Sequence, residues 1–178
     1  MNKIILASQS EVRKKILIEN GIICFSIPSE IDEEVIKNSL LNEGTTPENI
    51  CKALAELKAN KISNKRPEEL VIGADSVIDL NGEILSKPRS REEALSILKK
   101  MNGKKHLLIS SVCISKNGSM IWNCIDKAEL KMKNLNENQL KDYLSKISDK
   151  NLYAYNVYQI EGEGKNLFSD IKGDKNTI

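Results

Sequence analysis

Aromatic side chains are scarce in this 178-residue chain, at 4% of the total: one Trp, four Tyr and two Phe. Proteins that grip single strands stack bases on aromatic platforms, so that mode of nucleic-acid binding is disfavoured. Charge of one sign is lacking too. The 27 basic and 25 acidic residues are mixed along the whole length and leave a formal net charge of +2. No basic block exists to neutralise the phosphates of a polymer. With His106 as the single histidine, no His-rich metal site can be built. No run approaches the roughly 18 apolar residues of a membrane span, and "MNKIILASQS" holds too short an apolar core for a signal peptide. The four cysteines, Cys24, Cys51, Cys113 and Cys124, show no CxxC spacing and have apolar neighbours. That is the pattern of buried free thiols in a reducing cytoplasm.

What is present is ordinary for a soluble globular domain: 40% hydrophobic and 29% charged residues. At this length a chain buries roughly 70% of its unfolded surface, so neither a metal nor a disulfide staple is needed.

The residues predict an alternation of strands and helices. "KIILAS" is a short strand, followed by a helix with Ser10 as N-cap and Gly21 as stop. "ICFSIPSEIDEEV" reads as partly extended. "TTPENICKALAELKANKI" is a helix capped by Thr46, with Pro47 at its first position and Ile50, Leu54 and Leu57 on one face. "LVIGADSVIDL" and "EILS" form a hairpin around Asn81-Gly82. Ser90 and Glu93 have capping-box spacing for a helix ended by Gly103. A longer hairpin turns at Asn117-Gly118, "NENQLKDYLSKI" is a helix, and "YQIEGEGKNLFSDIKG" reads as a short strand, a turn and a final short helix. Two hairpins within an alternating pattern require a mixed sheet.

The candidate chemistry centres on Asp75, an acid inside an apolar strand. The period of two puts it on one face with Val71, Gly73, Val77 and Asp79. Gly73 leaves room for something bulky to approach the backbone. A buried carboxylate must be paired, hydrogen-bonded or metal-bound, or its pKa rises. A structural salt bridge to a lysine satisfies this as well as a catalytic role does. In "ASQSEVRKK", Ser8, Ser10 and Arg13 flank a helix start, which suits either a phosphate or plain capping. Lys58 and Lys87 are individually unremarkable, although Pro88 stiffens the backbone beside Lys87. Asp32, Glu33 and Glu34 form an acid cluster of the kind that is usually a solvated loop. His106 follows a helix C-terminus, where capping of carbonyls is its simplest role. No nucleophile-elbow sequence supports a Ser-His-Asp triad.

Taken together, these segments resemble the Maf family of nucleoside triphosphate pyrophosphatases. "ILASQSEVRKKIL" is similar to the family's "LASxSPRRxELL", "IDE" at 31–33 to "vDE", and "LAELKA" at 54–59 to "LAxxKA". "IGADSVIDLNGEILSKP" resembles "IGADTVVxxxGxILgKP", "EEALSILKKMNGKKHLLISSV" resembles "eAxxmLxxLSGxxHxVxTGV", and "YQIEGEG" resembles "YaIQGxG". The matches run in order along the chain.

The resemblance implies an α/β fold of Maf/ITPase-like type: a mixed twisted sheet with flanking helices, one bilobal domain over 1–178 with a deep cleft between two lobes, often dimeric. It implies hydrolysis of a nucleoside triphosphate to the monophosphate and pyrophosphate with a divalent metal, Mg²⁺ or Mn²⁺, in a housecleaning role on the nucleotide pool. Carried over by position, Asp75 is the catalytic residue, and Glu33 and Asp75 are the metal residues. Ser8, Arg13, Lys58, Ser76, Lys87 and Glu161 are the substrate residues. Glu11-Val12-Arg13, Ala74-Asp75-Ser76 and Ile160-Glu161-Gly162 depart from the "PRR", "ADT" and "IQG" of the thymidine and uridine branch, which leaves base choice open. The chain also stops before the family's usual "GLP" and closing helix. The alternative implied by the family is a nucleotide-binding regulator of cell division arrest with little turnover.

Overall fold

The computed structural model, which describes residues 3–177, begins with the expected strand and helix, β1 (Ile4–Leu6) and α1 (Glu11–Glu19). By internal contacts the chain divides into two units, Met1–Val77 with Ile109–Asp126, and Ile78–Leu108 with Lys127–Ile178. Their borders fall inside three strands, β3 (Leu70–Leu80), β5 (Lys105–Lys116) and β6 (Ser119–Met132). The sheet is hydrogen-bonded in the order β2-β1-β3-β5-β6-β7, where β2 is Cys24–Ser26 and β7 is Phe168–Lys172. A further strand, β4 (Glu83–Leu85), pairs with β3. β1 runs parallel to β2 and β3, while β3–β4 and β6–β7 are antiparallel, so the sheet is mixed.

In the first unit β1 has a parallel neighbour on each side, Ile4 pairing with Cys24 and with Leu70, which is why its sequence is a continuous apolar run. α2 (Glu33–Asn42) and α3 (Pro47–Lys65) complete the unit. Thr46 and Pro47 begin α3 as their chemistry predicts, the Thr46 hydroxyl accepting from the Asn49 N–H. Ile50, Leu54, Lys58 and Ile62 lie four residues apart on its buried face, beside Cys51, Ala55, Ala59 and Ser63. Leu57, expected on that face, is exposed. The four-residue step from Leu54 lands on Lys58.

The space beside Gly73 is filled by the chain itself. A Cβ on Gly73 would lie 2.2 Å from the Ala55 carbonyl oxygen and 2.8 Å from the Ala59 Cβ, so α3 rests directly on the β3 backbone. The unit's core is Ile5, Ala7, Ala55, Ala59, Ile62, Val71 and Cys113, rich in small side chains because helix and sheet approach so closely.

The second unit holds β4, α4 (Arg91–Met101), α5 (Glu137–Ser145), α6 (Asp149–Tyr155), a 3-10 turn at Glu163–Leu167, and β7. Its core uses larger residues, among them Leu98, Met101, Leu130, Met132, Leu140 and Leu152. The two Asn-Gly pairs, at 81–82 and 117–118, all have positive φ and form the hairpin turns expected of them.

Several sequence expectations need correction. The segment after β2 is not simply extended, because Asp32 caps α2 through the Val35 N–H and Glu33 and Glu34 form the helix's first turn. The tail carries no strand at "YQIEG" and no final helix. Phe168 and Leu130 are buried in the core with Ile171 packed against it, and the segment after the 3-10 turn pairs with β6 as β7. Ser90 accepts from the Glu93 N–H, but the Glu93 carboxylate accepts from the Arg89 N–H rather than closing a box on Ser90. The full capping box belongs to Asn136 and Gln139 of α5. Cys24, Cys51 and Cys113 are buried, whereas Cys124 is exposed. His106 caps nothing: it lies in the core against Tyr158 and Phe168.

Candidate functional site

The strand β3 and the helices α2 and α3 bring three charged side chains to one point in the first unit. Lys58 Nζ donates to Asp75 Oδ1 at 2.6 Å and pairs with Glu33 Oε1 at 2.9 Å. Lys58 is 4% exposed and Asp75 6%, while the Glu33 side chain remains 44% exposed. The local reasons are plain. Asp75 shares the β3 face of Gly73, which lets α3 approach, and Lys58 occupies a core position of α3. Glu33 is placed by the Asp32 cap at the start of α2. A buried ion pair costs more in lost hydration than a hydrophobic replacement of the same volume would, so stability alone does not account for it.

Arg13 approaches β3 from α1. Its Nη1 donates to the Ala74 carbonyl oxygen at 2.9 Å and to Ser8 Oγ at 3.5 Å, and its Nη2 to Ser76 Oγ at 3.5 Å. Ser8 Oγ also accepts from the Ser10 N–H at 3.1 Å, and Ser10 caps the helix through the Arg13 N–H. Ser76 Oγ lies 3.0 Å from Ser110 Oγ of β5. Ser8, Arg13, Glu33, Lys58, Asp75 and Ser76 are thus gathered within one unit.

Lys87 and Glu161 belong to the other unit. Lys87 is exposed just after β4, beside the buried Pro88. Glu161 is exposed in the turn before the 3-10 segment, and the next residue, Gly162, lines a pocket of about 190 Å³ with Lys146, Asn151, Tyr158 and Glu163.

Two participants were not singled out from the sequence. Ser110 appears only as one of two serines in an apolar strand. Cys51 sits one turn before Ala55 on the stripe that faces β3, and its thiol lies 3.3 Å from the Asp75 carbonyl oxygen and 3.4 Å from that of Ile109. Burial, and secondarily the Asp75 carboxylate, pushes the Cys51 thiol up, so it stays protonated and is no nucleophile.

Among the described residues no group of three or more His, Cys, Asp and Glu side chains converges to hold a metal. Glu33 and Asp75 nevertheless offer hard oxygen donors on one ammonium. Two carboxylates are the usual protein share of a Mg²⁺ site whose other ligands are phosphate oxygens and water. The donor set fits a cation that arrives with a phosphate substrate rather than one caged by protein.

The family model for "Maf-like protein" matches residues 3–178, and the chain belongs to that family. It is 67% identical over 178 residues to the "Nucleoside triphosphate pyrophosphatase" of Pelagibacter ubique, covering 100% of this chain and 91% of that one. A protein of the same name from Ruegeria pomeroyi is 42% identical over 173 residues, covering 96% and 86%. The "7-methyl-GTP pyrophosphatase" of Brucella suis is 37% identical over 176 residues, covering 99% and 88%.

Proposed function

We propose that the protein is a nucleoside triphosphate pyrophosphatase, releasing the nucleoside monophosphate and pyrophosphate. The observation that carries this reading is the buried Lys58–Asp75 pair, extended to Glu33, on the same strand, β3, that Arg13 reaches through the Ala74 carbonyl and Ser76. A buried carboxylate paired with a lysine, on a strand that also carries a cluster of guanidinium and hydroxyl donors, matches what hydrolysis of a phosphoanhydride requires. Membership of the family and the names of its relatives support the same activity.

In this reading Asp75 orients the attacking water and takes its proton as the water adds to the α-phosphorus. Arg13 and Lys58 supply positive charge where the phosphate oxygens gain negative charge, and Ser8 and Ser76 supply hydroxyls to the nucleotide. Lys87 and Glu161 are substrate residues on the support of the sequence match alone. Glu33 and Asp75 would hold the divalent metal, Mg²⁺ or Mn²⁺, which would supply neutralisation of charge on the phosphate oxygens.

The base is open, since relatives named for general nucleoside triphosphates and for 7-methyl-GTP are both similar, and Ser76 and Glu161 depart from the thymidine and uridine pattern. A housecleaning role and a cytoplasmic location go with this reading. No helix among the described residues is long and apolar enough to cross a membrane.

The test is hydrolysis of a panel of standard and modified nucleoside triphosphates in ¹⁸O-labelled water with Mg²⁺ or Mn²⁺. The expected products are pyrophosphate and a monophosphate carrying the label. Orthophosphate with a diphosphate, or binding with no turnover, contradicts the reading, and the latter favours the regulatory alternative.

A further inference from the structure

Lys58 is in an unexpected state for a lysine that binds substrate. Its ammonium is already engaged by two carboxylates, at 2.6 Å and 2.9 Å, and its side chain is almost wholly buried. Asp75 is equally enclosed, so the two have little water to turn to. Two carboxylates and one ammonium leave the cluster with one net negative charge. A divalent cation held by Glu33 and Asp75 would reverse that sign and stand close to a buried ammonium, where like charges repel strongly because little solvent screens them. Phosphate oxygens remove the conflict. They complete the shell of the cation and offer Lys58 a second set of acceptors.

Granting the proposed nucleotide site, on which this inference rests, we propose that Lys58 is an internal counter-cation that keeps Glu33 and Asp75 from holding a divalent metal until the phosphates of the nucleotide arrive. Metal and nucleotide then bind with positive coupling, and Lys58 is its source. Because coupling between two binding events is reciprocal, the metal tightens nucleotide by the same factor as the nucleotide tightens metal. The site would stay free of adventitious metal between turnovers, with the two carboxylates held in place by the lysine.

Mn²⁺ binding tests this without any turnover, by the electron paramagnetic resonance signal of free Mn²⁺ titrated against protein. The titration is run with and without an α,β-methylene nucleoside triphosphate analogue, corrected for Mn²⁺ held by the analogue alone. For the wild type the analogue should tighten Mn²⁺ by a factor within the usual range of coupling, about 5–150-fold. Lys58→Met, of similar length and without charge, should bind Mn²⁺ in the absence of nucleotide about 10-fold or more tighter than the wild type, with the coupling reduced by a like factor. Adding Glu33→Gln to that variant should abolish the gain.

A wild type that binds Mn²⁺ equally well with and without analogue overturns the proposal. So does a Lys58→Met protein, folded by circular dichroism, whose Mn²⁺ affinity is unchanged or weaker. Should that variant not fold, Lys58→Gln, which can still hydrogen-bond both carboxylates, gives the same two outcomes. Coupling that survives unchanged without the lysine charge counts against Lys58. Absence of pyrophosphate release together with the expected Mn²⁺ behaviour would instead remove the catalytic reading and leave this one standing.

Discussion

The two units treat their buried acid and base side chains differently. The first unit encloses ions, with Lys58 against Asp75 and Glu33. The second encloses a neutral polar group, His106, 3% exposed, whose Nε2 shares a 2.9 Å hydrogen bond with Tyr158 Oη and whose ring packs against Phe168. Burial pushes His106 down to about 4, which keeps the imidazole uncharged at neutral pH. The second unit thus resolves its buried polarity by giving up charge, as a structural core does. The first retains charge and answers it with charge, an arrangement suited to binding other ions. In the proposed reading, the difference separates a scaffold from a working site more clearly than burial itself.

Removing the lysine of the ion cluster should have the largest effect. Lys58→Ala strands Asp75 without its cation, and a loss of about 3–5 kcal/mol of stability is expected from urea unfolding at neutral pH. A loss below about 1 kcal/mol would mean that the cluster is screened like a surface pair.

Acid should act on the second unit. The folded pKa of His106 lies below its ordinary 6.5. Between pH 6.5 and about 4 the unfolded chain therefore binds a proton that the folded chain does not. The stability gained by keeping the ring neutral is whole above that window and is lost as pH falls through it, by about 3 kcal/mol at most. Urea midpoints across these pH values should show the slope, and His106→Phe should flatten it. An unchanged slope in the variant would assign the effect to other groups.

Backbone proximity can be tested separately from charge. In Gly73→Ala the new methyl would meet the Ala55 carbonyl oxygen at 2.2 Å, and α3 must shift to admit it. A cost of about 1–3 kcal/mol follows from overpacking, accompanied by weaker turnover because the helix that carries Lys58 moves relative to β3. The smallest effect belongs to the second unit's surface, where Asn136→Ala removes the α5 capping box. It should cost about 1 kcal/mol and leave turnover unchanged.

Much of this contrast is legible in the residues, and what is not has physical reasons. Asn-Gly turns, the Thr46-Pro47 start of α3 and the apolar β1 depend on local chemistry and fold as that chemistry predicts. α2 was missed because its apolar residues, Val35, Ile36, Leu40 and Leu41, are mostly exposed or half-buried and make no strong stripe. The Asp32 cap with acids in the first turn was the available signal. The short tail strand β7 is decided by its partner β6, which no local window contains. Asp75 stood out because an acid in an apolar strand demands a partner. The partner, Lys58, was singled out only through the resemblance of "LAELKA", since the register of α3 on β3, fixed by Gly73, is tertiary.

Whether the ion cluster serves chemistry or stability is decided by Asp75→Asn, with turnover and urea unfolding measured on the same protein. Asparagine keeps the shape and a hydrogen-bond acceptor for Lys58 but cannot take a proton from water. The expected variant still folds, because Lys58 keeps Glu33 as a counter-ion, and releases pyrophosphate about 10²–10⁴-fold more slowly. A variant that unfolds easily yet, where folded, still releases pyrophosphate at the wild-type rate would contradict the chemical role.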